Sequence, residues 1–599
     1  MASALGGLSG LTTLILGFGS RTTAQGEEER SHLTIVTDMA VKAAAPIFML
    51  CVLIALALAG SWQLDVFAHQ FDRHLSDLAD PDPTRVGRLM PPDPWGHDQV
   101  LHNTPPWMLL SFTFLVAVLG FLMARFININ RFSLHAMYRN RLIRAYLGAS
   151  RAQAKRERTC NSFTGFDNLD NPAMSDLRFD DVRLARWLYA REVSSHTRAQ
   201  LLAFHALPEP PSAQLQSMID RLRQEIPALL QRGALREAAD RLQVGPACAA
   251  KLRALQSHEG KGTEQDAITW FVNLFLNRAY ERMPRPLHLV NIALNLVKGD
   301  NLAWQQRKAQ SFTISSLHSG SWNLGYRRTE VYATNHYLDQ PLSLGTALAI
   351  SGAAASPNMG YHSSSAVTFL LALFNIRLGW WLGNPGPAGG DTYKQASPTV
   401  SVGPLIAEAF GLTDSKHPYV YLSDGGHFEN LGVYEMVLRR CHCILVVDAG
   451  CDPHATFEDL GNAIRKIRID LDIDIELNLD ELRRAPGATT CSRHHAIGLI
   501  RYDTVNANTP AGTLLYLKAS LTGDEPSDIQ DYAARHPAFP HEPTSDQFFD
   551  EAQFESYRRL GEHVAWEALR PAAQCGDQDV SALCQALRAH WATNPPGGK

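Results

Sequence analysis

Val420-Tyr421-Leu422-Ser423-Asp424-Gly425-Gly426-His427-Phe428-Glu429-Asn430-Leu431-Gly432 is the most informative stretch of this chain. Val420 to Ser423 reads as a buried strand, and the carboxylate of Asp424 follows at its C-terminal end, where open α/β sheets place their ligand sites. Gly425 and Gly426 let the backbone turn with φ > 0 or approach a neighbour closely. A D-G-G triplet alone is most often just a turn, so its weight depends on its surroundings.

Outward from this stretch, His288 to Val297 and Cys443 to Asp448 are further near-continuous apolar runs. Such runs, alternating with helical stretches, predict an α/β fold over 285–565: a mostly parallel sheet with helices on both faces. Ala496 to Asp503 and Thr513 to Ser520 read as a hairpin at its edge. Residues 178–284 read as a helical insertion, because Leu215, Met218, Ile219, Leu222 and Ile226 recur at helical spacing after Ser212, and Thr263 with Asp266 resembles a capping box. A helical tail, 566–599, closes the chain.

Two uncharged apolar runs, 43–62 and 107–124, are each long enough to cross a hydrocarbon core of roughly 30 Å, so 43–124 reads as a transmembrane hairpin. Residues 63–106 carry seven Asp against three Arg, whereas 125–160 carry nine Lys or Arg against one Glu. The positive-inside rule then puts 63–106 outside and the basic juxtamembrane segment 125–177, with the α/β region, on the cytoplasmic side of a bacterial inner membrane. The arginines of 131–158, interleaved with Phe132, Leu134, Met137 and Tyr146, also suit anionic lipid headgroups. In the N-terminal segment 1–42, Ala4 to Gly19 is shorter, rich in glycine and lacks a preceding basic region, which makes it a weaker candidate for a membrane element.

A net charge of −5 over 599 residues, with no basic-aromatic stripe, argues against a nucleic-acid partner. The nine cysteines are odd in number and contain no C-x-x-C pair, which points to a reducing compartment without a disulfide framework. Cys441-His442-Cys443 has no second ligand pair at zinc spacing, so no metal is expected there. His494-His495 lies in no motif and reads as solvated. Asp448, at the end of its strand, reads as a cap for the adjoining turn or as a second site carboxylate.

Several stretches together resemble the patatin-like phospholipases, in particular large bacterial members with membrane helices. They are Asn130 to His135 with Tyr138 to Arg141; Leu344 to Ala347 with Ile350 to Tyr361; and Asp424 to Gly432. Phe163 to Asp167 and Lys518 to Asp524 fit the same group, and in all the resemblance covers roughly 125–177 and 285–565. It implies a lipid acyl hydrolase with a Ser-Asp dyad, Asp424 as general base, Gly425 and Gly426 as the supporting loop, membrane lipids as partners and no cofactor. The chemistry requires this base, since a serine hydroxyl is a poor nucleophile until a positioned acceptor takes its proton.

The pattern departs at the nucleophile. No G-x-S-x-G and no oxyanion G-G-G-x-R/K occurs in the sequence. Ser9, in Gly7-Leu8-Ser9-Gly10, lacks the second glycine of the elbow and has only eight residues before it. Ser321 lacks a preceding buried strand, and Ser351 lies in a small-residue stretch that the family places near the site without using it as nucleophile. The expectation is that the nucleophile comes from an upstream segment or a separate chain, and that this chain alone does not hydrolyse lipid esters. The alternative is a catalytically inactive membrane pseudoenzyme or scaffold that binds lipid or a partner.

Overall fold

β1 (Leu289–Asn295) lies inside a six-stranded sheet whose order is β4-β3-β2-β1-β6-β5. Its other strands are β2 (Ala309–Ser315), β3 (His318–Ser321), β4 (Gly325–Arg328), β5 (Trp380–Gly383) and β6 (Tyr419–Ser423). Every neighbouring pair is antiparallel. A second sheet, in the order β7-β10-β9-β8, holds β7 (Cys443–Asp448), β8 (Ile475–Leu477), β9 (His495–Ile500) and β10 (Gly512–Lys518). Only β10 with β7 is parallel. The computed structural model describes residues 50–64, 66 and most of 104–592; the main stretches outside it are 1–49, 67–103, 154–158, 232–236, 279–285, 300–306, 335–341, 359–364, 544–548, 574–579 and 593–599.

The expected mostly parallel, patatin-like sheet is therefore corrected to two separate sheets, one wholly antiparallel and one mixed. The physical reason lies in what a continuous apolar run encodes. It reports burial on both faces, and strand direction leaves no mark on it. On β1, Val290, Ile292 and Leu294 face one cluster with Leu344 and Ile350, while Ala293 faces Phe428 on the other side. β9 and β10 do pair antiparallel, but β10 sits between β7 and β9 and is no edge strand.

The helices are numbered in chain order. α1 (Leu50–Leu64) covers the described part of the first expected span, and α2 (Pro106–Phe126) contains the second. Among the described residues α2 is the one helix long and apolar enough to cross a membrane. Its Leu110, Phe114, Leu119 and Phe121 are exposed. α3 (His135–Leu142) continues into a π-turn over Ile143–Leu147. α4 (Asp180–Arg191), α5 (Ser195–His205), α6 (Ser212–Gln231), α7 (Pro246–Gln256) and α8 (Lys261–Leu276) share one core, built on Leu184, Leu188, Leu222, Phe271 and Phe275. The N-terminus of α5 is capped by Ser194 Oγ, which accepts from Thr197 N at 3.2 Å.

α9 (Leu344–Ser351) is capped by Ser343 and packs on β1. α10 (Ser365–Leu373) and α11 (Val402–Ala409) are joined by a Phe369–Phe410 ring contact. α12 (Val433–Leu438) and α13 (Glu458–Leu471) cover one face of the second sheet through Val437, Leu460 and Ile467 against Ile444, Val446 and Leu514. α14 (Ser527–Arg535), α15 (Glu551–Ala573) and α16 (Val580–Ala592) cover the other through Ile529, Leu560 and Leu587 against Leu515 and Leu517. Cys443 on β7 and Cys584 on α16 stand opposite each other, with Cα atoms 6.2 Å apart.

Candidate functional site

Ser423 and Asp424 point to opposite sides because successive strand residues alternate. Ser423 is fully buried: its Oγ accepts from Asn295 Nδ2 at 2.8 Å and lies 2.8 Å from His427 Nδ1. A serine sealed in this way positions the strand end and has no access to substrate. Asp424 turns outward and caps the Gly425–His427 turn, its Oδ1 accepting from Gly426 N at 2.7 Å. No hydrogen bond to its Oδ2 is formed among the described residues. Burial pushes the Asp424 carboxyl up to about 6, against the lowering effect of the Gly426 N–H. A group with that value can take a proton near neutral pH.

Two elements close on this turn from one side. A Cβ at Gly425 would lie 2.9 Å from the Asn291 carbonyl, so only glycine allows the turn to rest on β1. Ser351 Oγ donates to that same carbonyl at 2.7 Å, which brings the end of α9 beside the turn. Tyr138 on α3 packs its hydroxyl against Gly352, where a Cβ would sit 2.5 Å away. Burial and the Asp424 charge both raise the Tyr138 phenol above its ordinary range.

On the other side, Asn430 stands against Gly426 and donates through Nδ2 to Asp459 Oδ2 at 2.9 Å. Burial holds the Asp459 carboxyl above its usual range. Next to it the buried pair Asp448 and Lys518 joins β7 to β10, with Nζ 3.0 Å from Oδ1. Asp448 Oδ1 also accepts from Gly450 N at 2.8 Å and Oδ2 from the Tyr516 hydroxyl at 2.5 Å, so Asp448 combines a cap with a structural ion pair. Buried Glu429 fixes the loop by accepting from Leu431 N at 2.5 Å and Tyr434 N at 3.1 Å. The ends of β6 and β7 thus share a polar rim running from Asp424 through Asn430 and Asp459 to Lys518. The sequence does not single out Asn430 or Asp459; the Glu429-Asn430-Leu431-Gly432 run is the available signal for the first, and nothing local marks the second.

Other motif residues are structural. Asn130 and His135 are fully buried; Asn130 pairs with the backbone of Trp381, and His135 Nδ1 lies 2.6 Å from Leu378 O with its ring on Trp380. Asp167 is held by Arg151 at 2.6 Å and Thr159 at 2.5 Å. Among the serine candidates, Ser351 gives its proton to Asn291 O and Ser423 is sealed. Ser321 lies on β3, separated from β6 by β2 and β1, about 14 Å in strand spacings. Ser9 lies outside the described residues. The expectation that His494-His495 is solvated fails, since both are buried.

No family model matches the chain, and comparison with curated proteins finds no match either. Function is therefore inferred from the geometry of the site.

Proposed function

We propose that this chain is a membrane-bound lipid acyl hydrolase of the Ser-Asp dyad kind, with Asp424 as general base and the nucleophilic serine outside the described residues or on a separate chain. The observation that carries this reading is Asp424 itself. It stands at a strand end with one oxygen fixed by a backbone N–H, the other in no hydrogen bond among the described residues, and its carboxyl raised to about 6. A dyad base needs those properties, whereas an ordinary turn aspartate is solvated and titrates in the usual carboxylate range.

Placement beside a bilayer supports lipid as substrate. The end of α2 is tied to α11 by Ser401, whose N donates to Ala124 O at 2.9 Å and whose Oγ donates to Ile127 O at 2.6 Å. Around that junction Phe132, Met137, Ile406 and Phe410 are exposed, a surface that headgroups and acyl chains would cover. The charge asymmetry about the two apolar runs favours a bacterial inner membrane with Asp424 on the cytoplasmic side.

A catalytically inactive lipid-binding scaffold is the second reading, favoured by the lack, among the described residues, of a serine hydrogen-bonded to Asp424. Fatty-acid release from labelled phospholipid vesicles separates the two. Membranes carrying the chain together with its genomic neighbours are expected to hydrolyse the lipid, and Asp424→Asn is expected to abolish it. Hydrolysis unchanged in Asp424→Asn would reject the base assignment.

A further inference from the structure

A second polar cluster lies on the small sheet, at the start of β9, the loop after β10 and the middle of α15. His494 is fully buried there, with Nδ1 3.0 Å from Ser520 Oγ. Its Nε2 lies 2.9 Å from Thr522 Oγ1 and 3.7 Å from Glu567 Oε2. On α15, His563 and Glu567 are four residues apart and share a helix face. His563 Nε2 lies 3.3 Å from Asp524 Oδ1. One ligand atom each of His494, Asp524 and His563 falls within 4.8 Å of the others.

Hydrogen bonding among these side chains accounts for part of the arrangement. Thr522 Oγ1 bonds to both His494 Nε2 and Asp524. Glu525 is occupied by the loop backbone, its Oε1 accepting from Thr522 N at 2.6 Å and its Oε2 from Gly523 N at 2.9 Å. Glu567 is the exception, because its Oε2 is buried and makes no hydrogen bond among the described residues. An ionised oxygen left in that state is costly, and a cation is what would offset the cost.

We propose that His494, Asp524, His563 and Glu567 bind one divalent transition-metal ion, with zinc the best match. Two imidazoles and two carboxylates form an N/O donor set of the kind zinc takes in tetrahedral geometry, whereas calcium and magnesium take oxygen alone. Metal–ligand bonds of about 2.0–2.1 Å place neighbouring donor atoms roughly 3.3 Å apart. The His563–Asp524 pair already has that spacing, and Glu567 Oε2 lies 3.7 Å from His494 Nε2; binding would require Thr522 to give up its bridge between His494 and Asp524. Ser520 supplies the outer contact that fixes the His494 ring, as ligating histidines require. Asp524, 67% exposed, gives the ion its path from solvent. The ion would pin α15 to the second sheet, a role that does not depend on the acyl-hydrolase reading.

The test uses the full chain in detergent, without a polyhistidine tag, stripped with chelator and titrated with zinc or cobalt alone. One zinc per chain is expected by elemental analysis after dialysis, and cobalt is expected to give the intense visible bands of a four-coordinate site. His563→Ala and Asp524→Ala alter partly exposed side chains, so circular dichroism should stay unchanged while zinc affinity falls by about 100-fold or more. Failure of the wild-type chain to retain zinc, or retention of stoichiometric zinc by both folded variants, would overturn the proposal.

Discussion

Asn130 presents its side-chain amide to Trp381 as a strand would, with Oδ1 accepting from Trp381 N at 2.9 Å and Nδ2 donating to Trp381 O at 2.8 Å. One side chain thereby fastens the segment after α2 to β5, the neighbour of the strand that ends at Asp424. Asn130→Ala leaves the Trp381 N–H and C=O unpaired in a buried place, at an expected cost of about 2–4 kcal/mol. Chemical denaturation of the purified chain measures this, and a loss below about 0.5 kcal/mol would show that the pairing is incidental.

Arg377 and Glu408 form a fully buried ion pair, and Trp381 Nε1 donates to the same carboxylate. Burial still pushes Glu408 up to about 7, because Arg377 offsets only part of the desolvation. Glu408→Leu is expected to cost about 3–5 kcal/mol by leaving a buried guanidinium unpaired. The double variant Arg377→Met with Glu408→Leu should recover most of that loss. A double-mutant cycle reads the coupling, and additive losses would contradict it.

Asp424 has a stability signature as well as a chemical one. Its folded-state value of about 6 lies above the ordinary 3.8, so its contribution to stability is fully present below 3.8 and is lost as pH rises through 6. Asp424→Asn removes the charge and keeps the shape. The variant should match wild type near pH 4 and exceed it above pH 6, by about 1–3 kcal/mol, the range allowing for partial exposure. Equal unfolding free energies for the two proteins from pH 4 to pH 8 would mean that Asp424 titrates as an ordinary surface carboxylate.

His135 behaves with the opposite sign. Burial is the main cause that holds it down to about 4, with Arg139 adding to the effect and the Leu378 carbonyl opposing it. The stability due to its neutral ring is full above 6.5 and is lost as pH falls from there through 4. His135→Gln should flatten the fall in melting temperature over that window. An acid limb unchanged in the variant would assign it to other groups.

Leu289–Asn295, Tyr419–Ser423 and Cys443–Asp448 can be read in the sequence because they are apolar runs, and His495–Ile500 with Gly512–Lys518 can be read as a pair. Ala309–Ser315 is illegible although wholly buried, because Gln310, Ser311, Thr313 and Ser315 break the apolar run. Such polar residues become tolerable only through distant partners; Ser311 Oγ, for instance, donates to Glu435 Oε1 at 2.5 Å. Strand direction is misread for a related reason, since pairing partners leave no mark on one strand's composition. The Asp424 turn is legible from its local chemistry. The burial of His494 is hidden, because Ser520, Thr522 and Glu567 come to it from other elements.

Activation by Asp424 of a serine lying outside the described residues is tested most directly by a fluorophosphonate probe with mass-spectrometric mapping of the labelled residue. One Asp424-dependent serine adduct is expected in membranes carrying the chain with its genomic neighbours, on a serine other than Ser351 or Ser423. An adduct at Ser351 or Ser423, or labelling that proceeds equally in Asp424→Asn, would contradict it.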